Sequence, residues 1–135
     1  MFAAFKIKPT SFLERLIKLF TGSSVVHCEI ATEVRADCFF GYTSLPHHGV
    51  IKRWTSYSED EWDFYLLPET YTVENLVKFY EKTKGRKYDY LGCLGFVFGN
   101  EDDPDRYFCS EWCAEFLGYS NPSKYTPEDI MRKII

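Results

Sequence analysis

The stretch RYFCSEWCAEFLG, residues 106–118, passes from a strand-like RYF into an amphipathic helix, and Cys109 stands at the change. A thiol at the N-terminal end of a helix lies near backbone N–H groups without intrahelical partners and near the positive end of the helix dipole, and both favour the thiolate. With Ser110 as the N-cap or in the first turn, the same N–H groups would point at an oxyanion formed on a carbonyl that Cys109 attacks. The stretch therefore predicts a nucleophile at Cys109 and a substrate-binding position at Ser110.

A thiolate nucleophile usually works with a neighbouring base, and the chain holds three histidines. His27 lies in SVVHCEIATEV, residues 24–34, whose β-branched residues and period of two predict a strand. The alternation puts Val26, Cys28 and Ile30 on the core face, and His27 and Glu29 together on the other. We therefore expect His27 to be the base and Glu29 to orient it, whereas the other two histidines sit in the turn-prone LPHHG, residues 45–49.

Several strand and helix signals in one short chain predict an α+β domain. A capping box of Ser11 and Glu14 opens a helix that Gly22 ends, Thr72 caps a second helix, and Thr126 caps the last one. Further strands are predicted in ADCFFGYTS (36–44), GVIKRW (49–54) and DFYLLP (63–68), and an irregular loop in residues 90–105. We expect a small antiparallel sheet packed against these helices.

The length of 135 residues fits a single domain spanning residues 1–135. A net charge of −4 gives no basic footprint, so nucleic-acid binding is not expected. None of the five cysteines forms a Cys-x-x-Cys motif, and neither the histidine pair His47 and His48 nor the acidic EDDPD has metal-ligand spacing, so we expect reduced thiols, no metal and no cofactor. We see no signal peptide and no apolar run of roughly 20 residues, and expect a cytoplasmic protein as made.

The order of five motifs resembles a known family: TGSSVVHCEI, a GV after a short strand, GRKYDYLG, YFCSEW and TPEDI. Together they are similar to the circularly permuted NlpC-type papain-like cysteine peptidases, the YiiX-like group, in which the histidine strand precedes the cysteine helix. The resemblance covers about Phe20 to Ile130 and implies a papain-like fold with Cys109 as nucleophile and His27 as general base. It places Tyr88 at the tyrosine of the family's GxxY motif, which lines the substrate cleft. We expect Tyr42 to line the cleft too.

The family usually places a third polar residue on the strand after the histidine, where this chain reads CFFGYTS. Tyr42, Thr43 or Ser44 could substitute, Glu29 could serve, or the position is lost. The resemblance implies an amidase or peptidase acting on peptidoglycan-type peptide or amide bonds, and a phage or viral origin, with release in a virion or by lysis, would fit the lack of an export signal.

Two alternatives stay open. One is a lipid acyl hydrolase or acyltransferase with the same Cys-His site, in which the first helix lies at a membrane surface. The other is a binding module that has lost its chemistry. The sequence does not indicate an oligomeric state.

Overall fold

A five-stranded antiparallel sheet forms the centre of the computed structural model, which describes residues 1–90, 103 and 105–135. Its strands are β1 (Phe2–Lys6), β2 (His27–Val34), β3 (Cys38–Leu45), β4 (Gly49–Ser56) and β5 (Trp62–Leu66). Their order across the sheet is β4-β3-β2-β1-β5. The two-residue strands β6 (Lys87–Tyr88) and β7 (Arg106–Tyr107) pair in parallel.

Four α-helices surround the sheet in the described part of the chain: α1 (Phe12–Thr21), α2 (Val73–Thr83), α3 (Cys109–Phe116) and α4 (Pro127–Ile134). A short 3₁₀ helix covers Pro122–Lys124. The predicted α+β class, the four predicted strands and the predicted helices are confirmed. The capping box of Ser11 and Glu14 and the N-caps Thr72 and Thr126 form as expected.

Among the five strands of the central sheet, β1 is the one that the sequence patterns did not predict. It lies between β2 and β5, pairing Phe5 with Cys28 on one side and with Asp63 on the other. The segment FAAFK has no alternation of apolar and polar residues because Ala3, Ala4 and Phe5 are all buried, on both faces of the sheet. Most of the predicted loop at residues 90–105, with Cys93, lies outside the described residues.

Both faces of the sheet carry buried apolar side chains. The face carrying Phe5, Cys28, Ile30 and Tyr42 packs against α3 and forms the larger core. The opposite face carries a smaller cluster of Ala4, Ala31, Phe39 and Trp62. His27 and Glu29 belong to this second face, so the predicted separation from Cys28 and Ile30 is confirmed, although both side chains are buried.

The position of α3 depends on Trp112, whose side chain is fully buried. Its indole N–H donates a 2.9 Å hydrogen bond to Thr83 Oγ1 at the end of α2, and its ring packs against Phe79 and Phe116. Because Cys109 begins the same helix, this bond helps to fix the site described below.

Thr83→Val should lower the free energy of unfolding by about 1–3 kcal/mol, because a shape-matched side chain leaves the buried indole N–H without an acceptor. Urea unfolding would measure the loss. Thr83→Ser keeps the hydroxyl and serves as the matched control, which we expect to lose less. A Thr83→Val protein as stable as the wild type would contradict this role of the bond.

Candidate active site

Cys109 is the first residue of α3 and is buried. The N-cap is Phe108, which makes no side-chain capping bond, and Ser110 occupies the first turn as expected. The helix is therefore not capped by a side chain at its N-cap position, and its first N–H groups and its dipole favour a negative charge at this end.

His27 lies at the start of β2, close enough to Cys109 for charge attraction and hydrogen bonding between the two side chains. Its Nε2 lies 3.0 Å from Oε1 of Glu29, which leaves Nδ1 as the nitrogen for the thiol. The edge of Trp62 packs against the imidazole, with ring centroids 6.0 Å apart. The structure thus brings together Cys109, His27 and Glu29.

Glu29 is the polar residue that the structure places against His27. Of the three residues considered on β3, Thr43 donates its hydroxyl to the Cys28 carbonyl (2.9 Å) and Ser44 to the Tyr107 carbonyl (2.7 Å). Tyr42 lies in the core with ring contacts to Phe40 and Tyr80. Glu29 is therefore the candidate third member of the site.

Arg53 on β4 is a member of the site that the sequence patterns did not identify. Its Nη2 lies 3.2 Å from Oε1 of Glu29, the same oxygen that contacts His27. The Glu29 side chain is 0% exposed, and a buried carboxylate without a cationic partner would be very costly. Arg53 and His27 together provide the compensating charge.

Gly41 on β3 gives the Glu29 carboxylate its space. It pairs with Arg53 across the sheet, and any Cβ at this position would collide with Glu29 Oε2 and with the Phe39 ring. Glycine within a strand often marks a close approach of another group, so the glycine in CFFGYTS was a signal of close packing at this position. Which side chain packs there depends on the strand register.

The ionisation of Cys109 and His27 is mutually supported. Hydrogen bonding with Cys28 lowers the pKa of Cys109, burial opposes this, and the charge of His27 lowers the pKa further, so that it ends well below the usual value. Burial disfavours the imidazolium, but Cys109 and Glu29 outweigh it and raise the pKa of His27 to about 10. The site therefore favours a thiolate–imidazolium pair.

Cys28 is the thiol that stays protonated. Burial raises its pKa well above the usual value, as do its hydrogen bonds with Cys109 and Cys113. A neutral S–H beside Cys109 can donate to the thiolate. Cys113 is buried in the same cluster, and the described residues contain no group of ligands suited to a metal ion.

A cavity of about 550 Å³ opens beside His27. Tyr88, Lys6 and Arg53 line it. Its other walls come from α1 and the β3–β4 turn, including Phe12, Leu13, Ile17, Leu45, Pro46, His47 and His48. Tyr42 and Ser110 are not among the described residues that line it, and the buried Ser110 hydroxyl has no hydrogen-bond partner in the described part of the chain.

Glu14 connects α1 to this cavity. Its carboxylate forms an ion pair with Lys6 at 3.0 Å. Burial opposes its ionisation, but hydrogen bonds from the Thr10 backbone and Lys6, together with the charge of His27, lower its pKa. The residue that completes the α1 capping box thus also faces the site.

In comparisons with known proteins, no protein-family model matches this chain. No curated protein matches it either. A functional assignment therefore rests on the geometry of the site.

The role of Gly41 can be tested by a double-mutant cycle. Gly41→Ala should cost about 1–3 kcal/mol of folding free energy, since overpacking a buried site costs this much. The cost should be smaller in a Glu29→Ala background, where the displaced carboxylate is absent. Urea unfolding of the four proteins measures the coupling, and purely additive losses would show that the glycine does not serve Glu29.

The pH dependence of Cys109 alkylation tests the ion pair. Because the Cys109 pKa is lowered, the thiolate should persist as the pH falls below about 8.5, the value for a free thiol, and be lost only at the lowered pKa. Rates of iodoacetamide modification, read by peptide mass spectrometry, should therefore fall at a lower pH than for a free thiol. His27→Ala removes the cation and should move the inflection upward.

Cys113 in the same digests is the internal control, because a variant that merely opened the structure would speed its modification as well. A Cys109 thiol that titrates normally, or that ignores the loss of His27, would contradict the ion pair.

Proposed function

We propose that this protein is a cysteine-dependent hydrolase of amide bonds, with Cys109 as nucleophile and His27 as general acid and base. The observation that carries the proposal is the row of alternating charges from Cys109 through His27 and Glu29, all three buried, to the partly exposed Arg53, with His27 lining a cavity. Purely structural ion pairs do not need a thiol at a helix N-terminus beside an imidazole. Perturbed pKa values of this kind concentrate at functional sites.

In the acylation step, the Cys109 sulfur bonds to the carbonyl carbon of the scissile amide and the carbonyl π electrons move to the oxygen. The N–H groups at the N-terminus of α3 are the candidate donors to this oxyanion. When the intermediate collapses, the C–N bond breaks and the His27 imidazolium gives its proton to the departing nitrogen. Neutral His27 then accepts a proton from water, whose oxygen attacks the thioester carbonyl. The sulfur leaves as thiolate, and the acid product departs.

Glu29 and Arg53 contribute without touching the reacting atoms. Glu29 holds Nε2 of His27, so the ring stays oriented with Nδ1 toward the thiol. If the third polar residue of the site were lost, a binding module without chemistry would be favoured. The contact between Glu29 and His27 favours the enzyme instead. Tyr88, in the cavity wall, is the candidate contact for substrate.

We also propose that the fold is a circularly permuted papain-like domain. A histidine at the start of a sheet strand, followed later in the chain by a cysteine at the start of a helix packed on that sheet, is the arrangement expected for a circularly permuted papain-like domain. By the resemblance of the motifs, the substrate class is a peptidoglycan-type peptide or amide.

A lipid acyl substrate is the second candidate, and one observation favours it. Apolar side chains of α1 and the β3–β4 turn form much of the cavity wall, with Phe12 at an exposed position. An acyl ester would react at the same thiolate by the same steps, with an alcohol as the leaving group.

Trapping of the acyl-enzyme tests the proposal. Intact-mass analysis after incubation with muropeptides, and separately with phospholipid vesicles, should reveal a thioester adduct on the peptide that contains Cys109. Cys109→Ala should abolish it, and turnover should fall about a thousandfold or more, as for removal of a nucleophile. Cys113→Ser, a change of a buried thiol on the same helix, is the matched control and should keep both.

The substrate that leaves an adduct decides between the two candidate classes. Adduct formation that survives in Cys109→Ala but not in Cys113→Ser would contradict the assignment of the nucleophile.

A further inference from the structure

One helix leaves a large apolar surface open. On α1, Phe12 is 77% exposed, Leu19 73% and Phe20 46%. Ile17 on the inner side is buried against Tyr88 and Phe108. α1 is therefore apolar on two sides, and the protein covers only one of them.

The exposed apolar residues form one continuous stripe. At about 100° per residue, the exposed Phe12 and Leu19 and the half-buried Leu16 between them follow the spacing of three and four residues, and Phe20 extends the stripe by one position. Scattered surface leucines need no explanation, but a contiguous stripe of large apolar side chains marks an interaction surface.

Basic residues border the stripe on one side. The exposed Arg15 and Lys18 follow Leu19 around the helix, and neither makes an ion pair with a described residue. The only acidic residue of α1, Glu14, points to the inner side and is bound to Lys6. The outer side of α1 thus offers apolar contact and positive charge without a compensating carboxylate.

We propose that α1 is a docking surface for an anionic lipid bilayer, lying in the plane of the membrane with Phe12, Leu16, Leu19 and Phe20 among the acyl chains. Helices that combine an exposed apolar stripe with flanking Lys or Arg bind in this way. A second copy of this chain fits less well, because pairing two such faces would bring Arg15 and Lys18 of both copies together without an acidic partner. No described helix is long and apolar enough to cross the membrane instead.

This docking places the site at the membrane. Phe12 and Leu13 belong both to α1 and to the wall of the cavity beside His27. The rim of the cavity would therefore lie at the lipid surface. The inference concerns binding and does not require the proposed chemistry at Cys109.

Co-sedimentation with vesicles is the test. The wild type should bind vesicles of equal parts phosphatidylcholine and phosphatidylserine more tightly than vesicles of phosphatidylcholine alone, and added salt should weaken the difference. Phe12→Ser with Leu19→Ser should weaken binding by about tenfold or more for each side chain removed, given the transfer free energy of a large apolar side chain. Arg15→Gln with Lys18→Gln should weaken binding to the anionic vesicles by about fivefold per charge.

Matched controls distinguish docking through α1 from nonspecific association with the vesicles. Leu66→Ser removes another leucine with 70% exposure, at the opposite end of the sheet from α1. Lys78→Gln with Lys82→Gln removes two exposed charges from α2. Both should bind as the wild type does, and so should Cys109→Ala, so that failure of the chemistry and failure of the docking give different results.

Three outcomes would overturn the proposal: no binding of the wild type to anionic vesicles at low salt, equal binding of the α1 and control variants, or sedimentation equilibrium that finds a dimer abolished by Phe12→Ser with Leu19→Ser. The last would assign the stripe to a second copy of the chain. Because the substituted side chains are exposed, unchanged melting temperatures should accompany the expected result.

Discussion

The burial of the Glu29 carboxylate is the constraint on which the rest of the structure depends. A buried carboxylate is tolerated only with charged partners in the right places, and here the partners come from two other positions in the sheet: His27 on the same strand and Arg53 two strands away. His27 reaches Glu29 from two positions along the same strand, whereas Arg53 can reach it only in the observed register of β2, β3 and β4, with Gly41 between them. A slip of β4 by one residue would put Arg53 on the face of the sheet opposite Glu29. The charges therefore specify the sheet as well as the site.

The site also depends on residues from both faces of the sheet. His27 and Cys28 are consecutive residues, so their side chains point to opposite faces, yet both influence Cys109. This is feasible because β2 begins at His27 and α3 begins at Cys109, at the end of the sheet. The thiol thus receives a neutral donor from the core side, Cys28, and a cation from the other side, His27. If Cys109 lay opposite the middle of β2 rather than its end, its thiol could contact only one of the side chains of Cys28 and His27.

Local signals carried most of what the sequence could predict. The capping residues Ser11, Thr72 and Thr126 act within one turn, and the pairing of His27 with Glu29 follows from the period of a strand, so both were readable. β1 was missed because a strand buried on both faces has no alternation. Arg53 was missed because its contact depends on strand order and register, which single-strand patterns do not encode. The same holds for the neighbourhood of Cys28 and Cys109, which lie far apart in the chain.

Helix α1 lies between the cavity, helix α3 and the outer surface. Its inner residue Ile17 packs on Phe108, the N-cap of α3 and the residue before Cys109. Burial raises the pKa of its Glu14, and the Thr10 and Lys6 hydrogen bonds and the charge of His27 lower it. Its outer stripe is exposed. Any partner that displaced α1 would have to move Phe108 or break the Lys6–Glu14 pair. Because packed interiors transmit strain, a displacement of α1 would be passed on to Phe108, the residue before Cys109.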